Sequence, residues 1–397
     1  MCRLRKRVVF LFILCLYCAL FLTLILYWMY TEHINFNSED IEESSYADLK
    51  KEQQPMLYTT KKIPVEIWGK ASISLYLWQH ILKGPLHSIH NSLMNVGNLT
   101  LNNFEFSFKN GAGFIQTTVP QNVQYLVLVI NGRSPDKVKQ AEEWLKYLKK
   151  LKQLKKVCVV LLGSEQCEND WILPYMVSRG GTVNVAFLVY DSPLVDNKEF
   201  FQWPLGVAEY RGFPDFSESS IDLLSKRPYL GNFVGTVYKN SSRESMVTFI
   251  KKRKWTDKIL LIERDEWIPN ETSESRKHYI EALQLSDLTL SPVGMNTECY
   301  RIYEALALGS VPIVEDVVTW GKCARTPPAP LRLLKQLHAP VIWLSEWTNL
   351  STVLHHQQQL SFREITKRRI KVFNWYKNFK QLMKQKFLKV LSNIFIN

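Results

Sequence analysis

From Val8 to Tyr30 every position but Thr23 is apolar or aromatic, and neither charge nor proline interrupts the run. About 20 such residues suffice to cross a bilayer as a helix. The pattern therefore predicts a transmembrane segment over residues 8–30. Residues 31–62 then turn polar, with Glu39-Asp40, Glu42-Glu43 and Gln53-Gln54 and no apolar period. Such a stretch cannot bury a core and reads as a flexible stem. Beyond it the pattern becomes that of a folded body. Tyr125–Ile130, Val157–Leu162 and Val183–Tyr190 are strand-like apolar runs. Ser134-Pro135 opens a helix whose inward face is Val138, Ala141, Leu145 and Leu148. Phe201–Ser225, rich in Pro, Gly and aromatics, breaks the rhythm. It resumes with strands at Ile259–Ile262, Asp287–Ser291, Val311–Val314 and Val341–Leu344.

Apolar strands alternating with amphipathic helices predict parallel sheets covered on both faces. The expected architecture is α/β, with two Rossmann-like domains over residues 63–225 and 226–350 and a cleft between them. A helical segment at 351–397 follows, with Ile370, Phe373, Phe379, Met383 and Phe387 as its apolar stripe. Ligands of open parallel sheets bind beyond the C-terminal strand ends. The loops after Ile130, Leu162 and Tyr190 should then form one wall of the cleft, and Ser291–Asn296 the other.

Charge changes this picture little. The net +13 resides in two places. Arg3, Arg5, Lys6 and Arg7 form a cytosolic tail over residues 1–7, and ten Lys/Arg between Arg363 and Lys389 face the single Glu364. The body between them is neutral, which removes the electrostatic case for nucleic acid. The N-terminal cluster predicts a type II orientation with the body across the membrane. A cleaved signal peptide competes, but Tyr27-Trp28-Met29-Tyr30 offers no small-residue cleavage site. The C-terminal cluster suits the solvated face of a docking helix, an anionic membrane surface, or a phosphate-bearing acceptor. Sequons at Asn98, Asn240, Asn270 and Asn349 all fall on the luminal side. Cys2, Cys15 and Cys18 belong to the anchor. Cys158, Cys167, Cys299 and Cys323 allow three disulfide pairings, with a buried free Cys158 as the alternative.

The segment 287–316, DLTLSPVGMNTECYRIYEALALGSVPIVED, carries the most chemistry. It reads as a strand, a glycine loop, a helix capped at Asn296 or Thr297, and a second strand. Gly294 and the helix N-terminus suit a phosphate. Arg301 offers forked donors to a diphosphate, and Glu304 can accept from ribose hydroxyls. The plain alternative is that Glu298, Arg301 and Glu304, three residues apart, are a solvated salt-bridge face.

This segment, with RPYLGNFVGTVYKNSSR at 227–243 upstream, resembles the sugar-nucleotide region of exostosin-type glycosyltransferases. Further blocks are VEIWGKA from Val65, VVLLGSEQCENDW from Val159, YDSP from Tyr190 and FQWPLGVAEYR from Phe201. They extend the resemblance to the ribitol xylosyltransferases that act on the O-mannosyl glycan of α-dystroglycan. The resemblance implies a Golgi type II membrane enzyme, anchored in the lipid bilayer by one helix, with other Golgi glycosyltransferases as candidate neighbours. It implies UDP-xylose as donor, ribitol 5-phosphate on that glycan as acceptor, and inversion at the sugar carbon. By resemblance Arg227, Gly235, Arg243, Gly294, Asn296, Glu298, Arg301 and Glu304 bind substrate. Another UDP-sugar is the alternative donor, and a catalytically inactive Golgi scaffold is the alternative from another class.

No two aspartates stand one residue apart, so the Asp-x-Asp pair that holds Mn²⁺ in other glycosyltransferases is missing. No metal and no cofactor is expected, the leaving charge falling to arginine, backbone N–H and a helix dipole. HExxH, Gly-x-Ser-x-Gly and Walker motifs are also missing. Inversion needs a base for the acceptor hydroxyl. Asp191, at a strand end, has the best predicted position, with Glu165, Asp170 and Glu209 as rivals; Asp191 also suits a plain Asp-Ser-Pro turn. Trp203-Pro204 and Arg211 suit acceptor contact, or for the tryptophan simple packing.

Overall fold

The computed structural model describes residues 62–90, 92–266 and 272–396. The expected anchor, stem, tail cysteines and Asn270 sequon lie outside the described residues. The chain from Lys61 onward is one compact unit, although it carries two sheets.

In the first sheet, β1 (Ile63–Gly69) leads into a short helix α1 (Ile73–Leu75) and a π-helical turn, Tyr76–Leu82. β2 (His87–Ile89), β3 (Met94–Leu101) and β4 (Phe104–Asn110) form an antiparallel meander. Then come β5 (Tyr125–Asn131), helix α2 (Pro135–Tyr147), β6 (Lys156–Leu162), β7 (Val185–Val189) and β8 (Phe200–Trp203). The spatial order is β2-β3-β4-β1-β5-β6-β7-β8, and β4, β1 and β5 to β8 run parallel. Ser134 and Pro135 begin α2 as the sequence predicts, and Ala141, Leu145 and Trp144 form its buried face.

The second sheet contains β9 (Tyr229–Thr236), β10 (Ile259–Arg264), β11 (Ser286–Ser291), β12 (Val311–Glu315) and β13 (Ile342–Leu344). Their order is β10-β9-β11-β12-β13, parallel throughout. Helices α3 (Ser242–Lys252), α4 (Ser273–Gln284), α5 (Tyr300–Ala307) and α6 (Arg332–Gln336) make the connections, and α7 (Leu350–Gln359) and α8 (Phe362–Phe395) follow. Residues 232–236 are the second half of β9, a strand whose apolar pattern Asn232 and Gly235 interrupt.

Three devices join the sheets. Helix α8 has 34 residues, about 51 Å at 1.5 Å per residue, and spans both. Near its start, buried Arg369 pairs with buried Asp287 of β11 at 2.7 Å. Toward its end, Phe387 packs on Phe187 and Trp203, and Phe395 on Phe104 and Tyr125. Of the predicted apolar stripe, Phe373, Phe379, Met383 and Phe387 are buried on this face, and Ile370 is half-buried. Cys167 and Cys323 form a disulfide that ties the loop after β6 to the second half, and Cys158 is buried and free. The third device is a pair of carboxylates of the second half, Glu298 and Glu304, that hold the backbone of the crossing segment 205–208. Among the described residues no helix is long and apolar enough to cross a membrane.

Candidate active site

Between the sheets lies a cavity of about 840 Å³. Its walls are C-terminal strand ends and the loops beyond them: Arg133 after β5, Ser164–Gln166 after β6, Val234–Thr236 of β9, Arg264 of β10 and Val293–Asn296 after β11. Its charge is lopsided. Six arginines line it (Arg133, Arg211, Arg243, Arg264, Arg276, Arg301) against the three carboxylates Glu165, Glu298 and Glu304.

Two of these arginines, each in the first turn of a helix, share the glycine floor. Arg301 in α5 donates to the Val234 carbonyl at 3.0 Å and lies 5.0 Å above the Phe233 ring. A Cβ on Gly235 would come within 2.7 Å of its Nη2, so only glycine leaves this guanidinium in place. Arg243 in α3 donates to the Thr236 carbonyl at 2.9 Å, and a Cβ on Gly294 would stand 3.0 Å from its Nη2. Burial and then the neighbouring Arg301 hold the Arg243 pKa below its ordinary value. Neither arginine forms an ion pair among the described residues. Two guanidiniums side by side, neither in an ion pair, are costly without an anion between them. Glu315, buried at the end of β12, accepts from Val293 N at 2.9 Å and bonds Ser242, so it fixes both the glycine loop and the start of α3.

Two family models match this chain, the RXYLT1 N-terminal domain over residues 65–204 and the RXYLT1 C-terminal domain over 210–396. The chain belongs to the ribitol-5-phosphate xylosyltransferase family. A zebrafish (Danio rerio) protein, ribitol-5-phosphate xylosyltransferase 1, is 47% identical over 88% of this chain and 80% of its own. The human (Homo sapiens) protein of that name is 43% identical over 88% of this chain and 83% of its own. The mouse (Mus musculus) protein is 44% identical over 84% and 77%. Like them, the chain is a glycosyltransferase.

Of the residues singled out from the sequence, Gly235, Arg243, Gly294, Asn296, Glu298, Arg301 and Glu304 all line the cavity. Glu298 and Glu304 are buried, which rules out a solvated face. Both also reach out of their own half. Glu298 accepts from Leu205 N at 2.8 Å and Tyr303 OH at 2.5 Å; Glu304 accepts from Ala208 N at 3.0 Å and Tyr279 OH at 2.5 Å. They thus clamp the crossing segment 205–208. Burial pushes the Glu298 carboxyl up to about 7 and raises that of Glu304. Asn296 does not cap α5. Its side chain accepts from Glu298 N at 2.8 Å and donates to the Glu165 carbonyl at 2.6 Å, while Thr297 donates to the Val317 carbonyl. Cys299 occupies the N-cap without a side-chain capping bond, its thiol lying 3.1 Å from Ser291 Oγ.

The structure moves three residues out of the site. Arg227 is buried against the carbonyls of Leu283, Ser286 and Leu308, where it satisfies the ends of α4 and α5; burial lowers its pKa to about 10. Asp191 is buried, does not line the cavity, and is held by Arg332, whose Nε donates at 2.8 Å. Trp203 is core, packed on Phe187 and Phe387. Among the rivals of Asp191, Asp170 pairs with Lys322 at 2.7 Å and Glu209 with His80 at 2.6 Å, both away from the cavity. Glu165 remains: it lines the cavity from the first half, is 33% exposed in its side chain, and bonds Arg133, which also donates to Tyr190 OH at 2.6 Å. Sequence reasoning missed Arg133, Arg264, Arg276, Tyr279 and Glu315, none of which sits in a recognisable spacing. Among the described residues no three His, Cys, Asp or Glu side chains gather to hold a metal.

Proposed function

We propose that this chain transfers xylose from UDP-xylose to ribitol 5-phosphate on the O-mannosyl glycan of α-dystroglycan, with inversion and without a metal. One observation carries the site assignment: Arg243 and Arg301, neither in an ion pair among the described residues, rest on Gly294 of the loop after β11 and Gly235 near the end of β9, the place for a diphosphate. Two α/β sheets facing each other across this cavity correspond to the glycosyltransferase B arrangement. Its first half takes the acceptor and its second the nucleotide.

In the step itself the acceptor hydroxyl oxygen bonds to C1 of the xylose as the bond from C1 to the phosphate oxygen breaks. Its electron pair leaves with UDP, and the hydroxyl proton passes to Glu165. Glu165 suits this task because it is the cavity carboxylate of the first half, and Arg133 orients it. Arg243 and Arg301 then meet the charge that grows on UDP. A full-length chain assayed against a panel of UDP- and GDP-sugars tests the reading. UDP-xylose should be the productive donor, and Arg301→Ala should raise the UDP dissociation constant about tenfold or more. Wild-type UDP affinity in that variant would remove the diphosphate assignment.

The same reading places the chain in the Golgi membrane with its body luminal, supported by the Val8–Tyr30 run and its basic flank. Asn98, Asn240 and Asn349 are exposed, as glycan acceptors must be. Protease added to sealed Golgi vesicles should spare the body, and glycosidase should lower its mass; digestion of the body would reverse the topology.

A further inference from the structure

Three of the large apolar side chains left in water sit on two loops that meet beside the cavity. Met295 is 61% exposed and lines the cavity; Val318 is 38% exposed, and Trp320, at 87%, is more exposed than any other large apolar residue described. They come from two loops joined by the hydrogen bond from Thr297 Oγ1 to the Val317 carbonyl. The loop that carries Trp320 is held at several points. Lys322 N donates to the Gln166 carbonyl at 2.7 Å, Ala324 N to the Asp191 carbonyl at 2.7 Å, and Cys323 is bonded to Cys167. At Gly321, φ is +109° and a Cβ would stand 2.5 Å from the Gln166 carbonyl oxygen, so the chain beside Trp320 touches a cavity-lining residue.

An indole on a free loop would turn its apolar area inward; here the bracket denies it that escape. Exposed indoles held rigidly beside a binding cleft suit a partner with an apolar face and polar edges. A pyranose ring has that form, with C–H groups on its faces and hydroxyls around its rim. The cavity gathers six arginines beside its apolar walls, whereas Trp320 is not among the residues that line it.

We propose that Trp320, with Val318 and Met295, is a stacking platform for sugar residues of the acceptor glycan beyond the ribitol phosphate that receives the xylose. This inference rests on the acceptor reading above and adds a second, neutral subsite to it. The platform would favour an extended glycan over an isolated ribitol phosphate, and so act on acceptor choice rather than on chemistry.

The test compares full-length wild type, Trp320→Ala and Trp320→Phe on two acceptors, a glycopeptide bearing the whole glycan and a short synthetic one that ends at the ribitol phosphate. Trp320→Ala should raise KM for the glycopeptide about tenfold with kcat held, the effect of truncating an aromatic anchor. Trp320→Phe should recover most of it, and kcat/KM for the short acceptor should shift less than about twofold. Equal losses on both acceptors, or an unchanged KM for the glycopeptide, would overturn the platform. Calorimetric binding of the glycopeptide keeps this apart from the transfer reading. If wild type binds the glycopeptide and Trp320→Ala does not, the platform stands even where no xylose is transferred. Vesicle binding that falls in Trp320→Ala while glycopeptide binding does not would give the indole to a membrane and refute the proposal.

Discussion

Gly235→Ala isolates the central electrostatic claim without removing a charge. The added methyl would stand 2.7 Å from Arg301 Nη2, inside contact distance, so the guanidinium must leave its seat. It would lose the bond to the Val234 carbonyl at 3.0 Å and its place over Phe233. A misplaced Arg301 forfeits its charged hydrogen bond to the diphosphate, about 1.5–3 kcal/mol, which corresponds to about 10- to 150-fold in dissociation constant. Stability should change little, because the atom displaced is the far end of a flexible side chain; a shift of Tm under about 4 °C is expected. Gly231→Ala is the control. It sits on the same strand, but its Cβ would meet Leu288 O at 3.5 Å, an ordinary contact. UDP titrations by calorimetry on both variants, with thermal melts alongside, decide the matter. UDP affinity within twofold of wild type in Gly235→Ala would refute the argument that Arg301 on this glycine holds the diphosphate.

EDTA should leave most transferase activity in place, since fixed arginines balance the leaving charge, whereas Arg301→Ala should cost about 10²–10³ in rate. Complete loss on chelation, restored by Mn²⁺, would count against this. Glu165→Gln should lower kcat by roughly 10²–10⁴ with UDP affinity retained. Asp191→Asn should instead cost up to about 3 kcal/mol of stability by stranding Arg332, with turnover per folded molecule kept. The reverse pattern would return the base to Asp191. Glu298 links stability to pH. Its folded carboxyl is raised from 4.5 to about 7, so its contribution is present below about pH 4.5, declines as pH climbs to about 7, and is flat beyond. Glu298→Gln should remove that decline in denaturant titrations at pH 5 and 7.5. An unchanged slope would mean that another group titrates.

How much of this was legible beforehand follows from which forces act locally. Apolar runs such as Val157–Leu162 and caps such as Ser134-Pro135 report strands and helices because period and capping are properties of neighbouring residues. The glycine loop at Gly294 and the Arg301 and Glu304 spacing were legible for the same reason, as strand, turn and helix follow one another within thirty or so residues. β9 was hidden because Asn232 and Gly235 spoil its pattern. Its glycine is there for Arg301, a contact between residues far apart in sequence. Asp191 and Arg227 look like functional charges in the chain, yet long-range partners neutralise the first and bury the second. Conversely Arg133, Arg276 and Glu315 carry no local signature and gain meaning only when strand ends from two sheets converge. The α/β class, the apolar N-terminal run and the nucleotide-like motif are written in near neighbours along the chain. Which charges share the cavity, which cysteines pair and which tryptophan is left in water are settled by the fold. Coulomb energy, burial and steric fit depend on distances that only the folded chain sets.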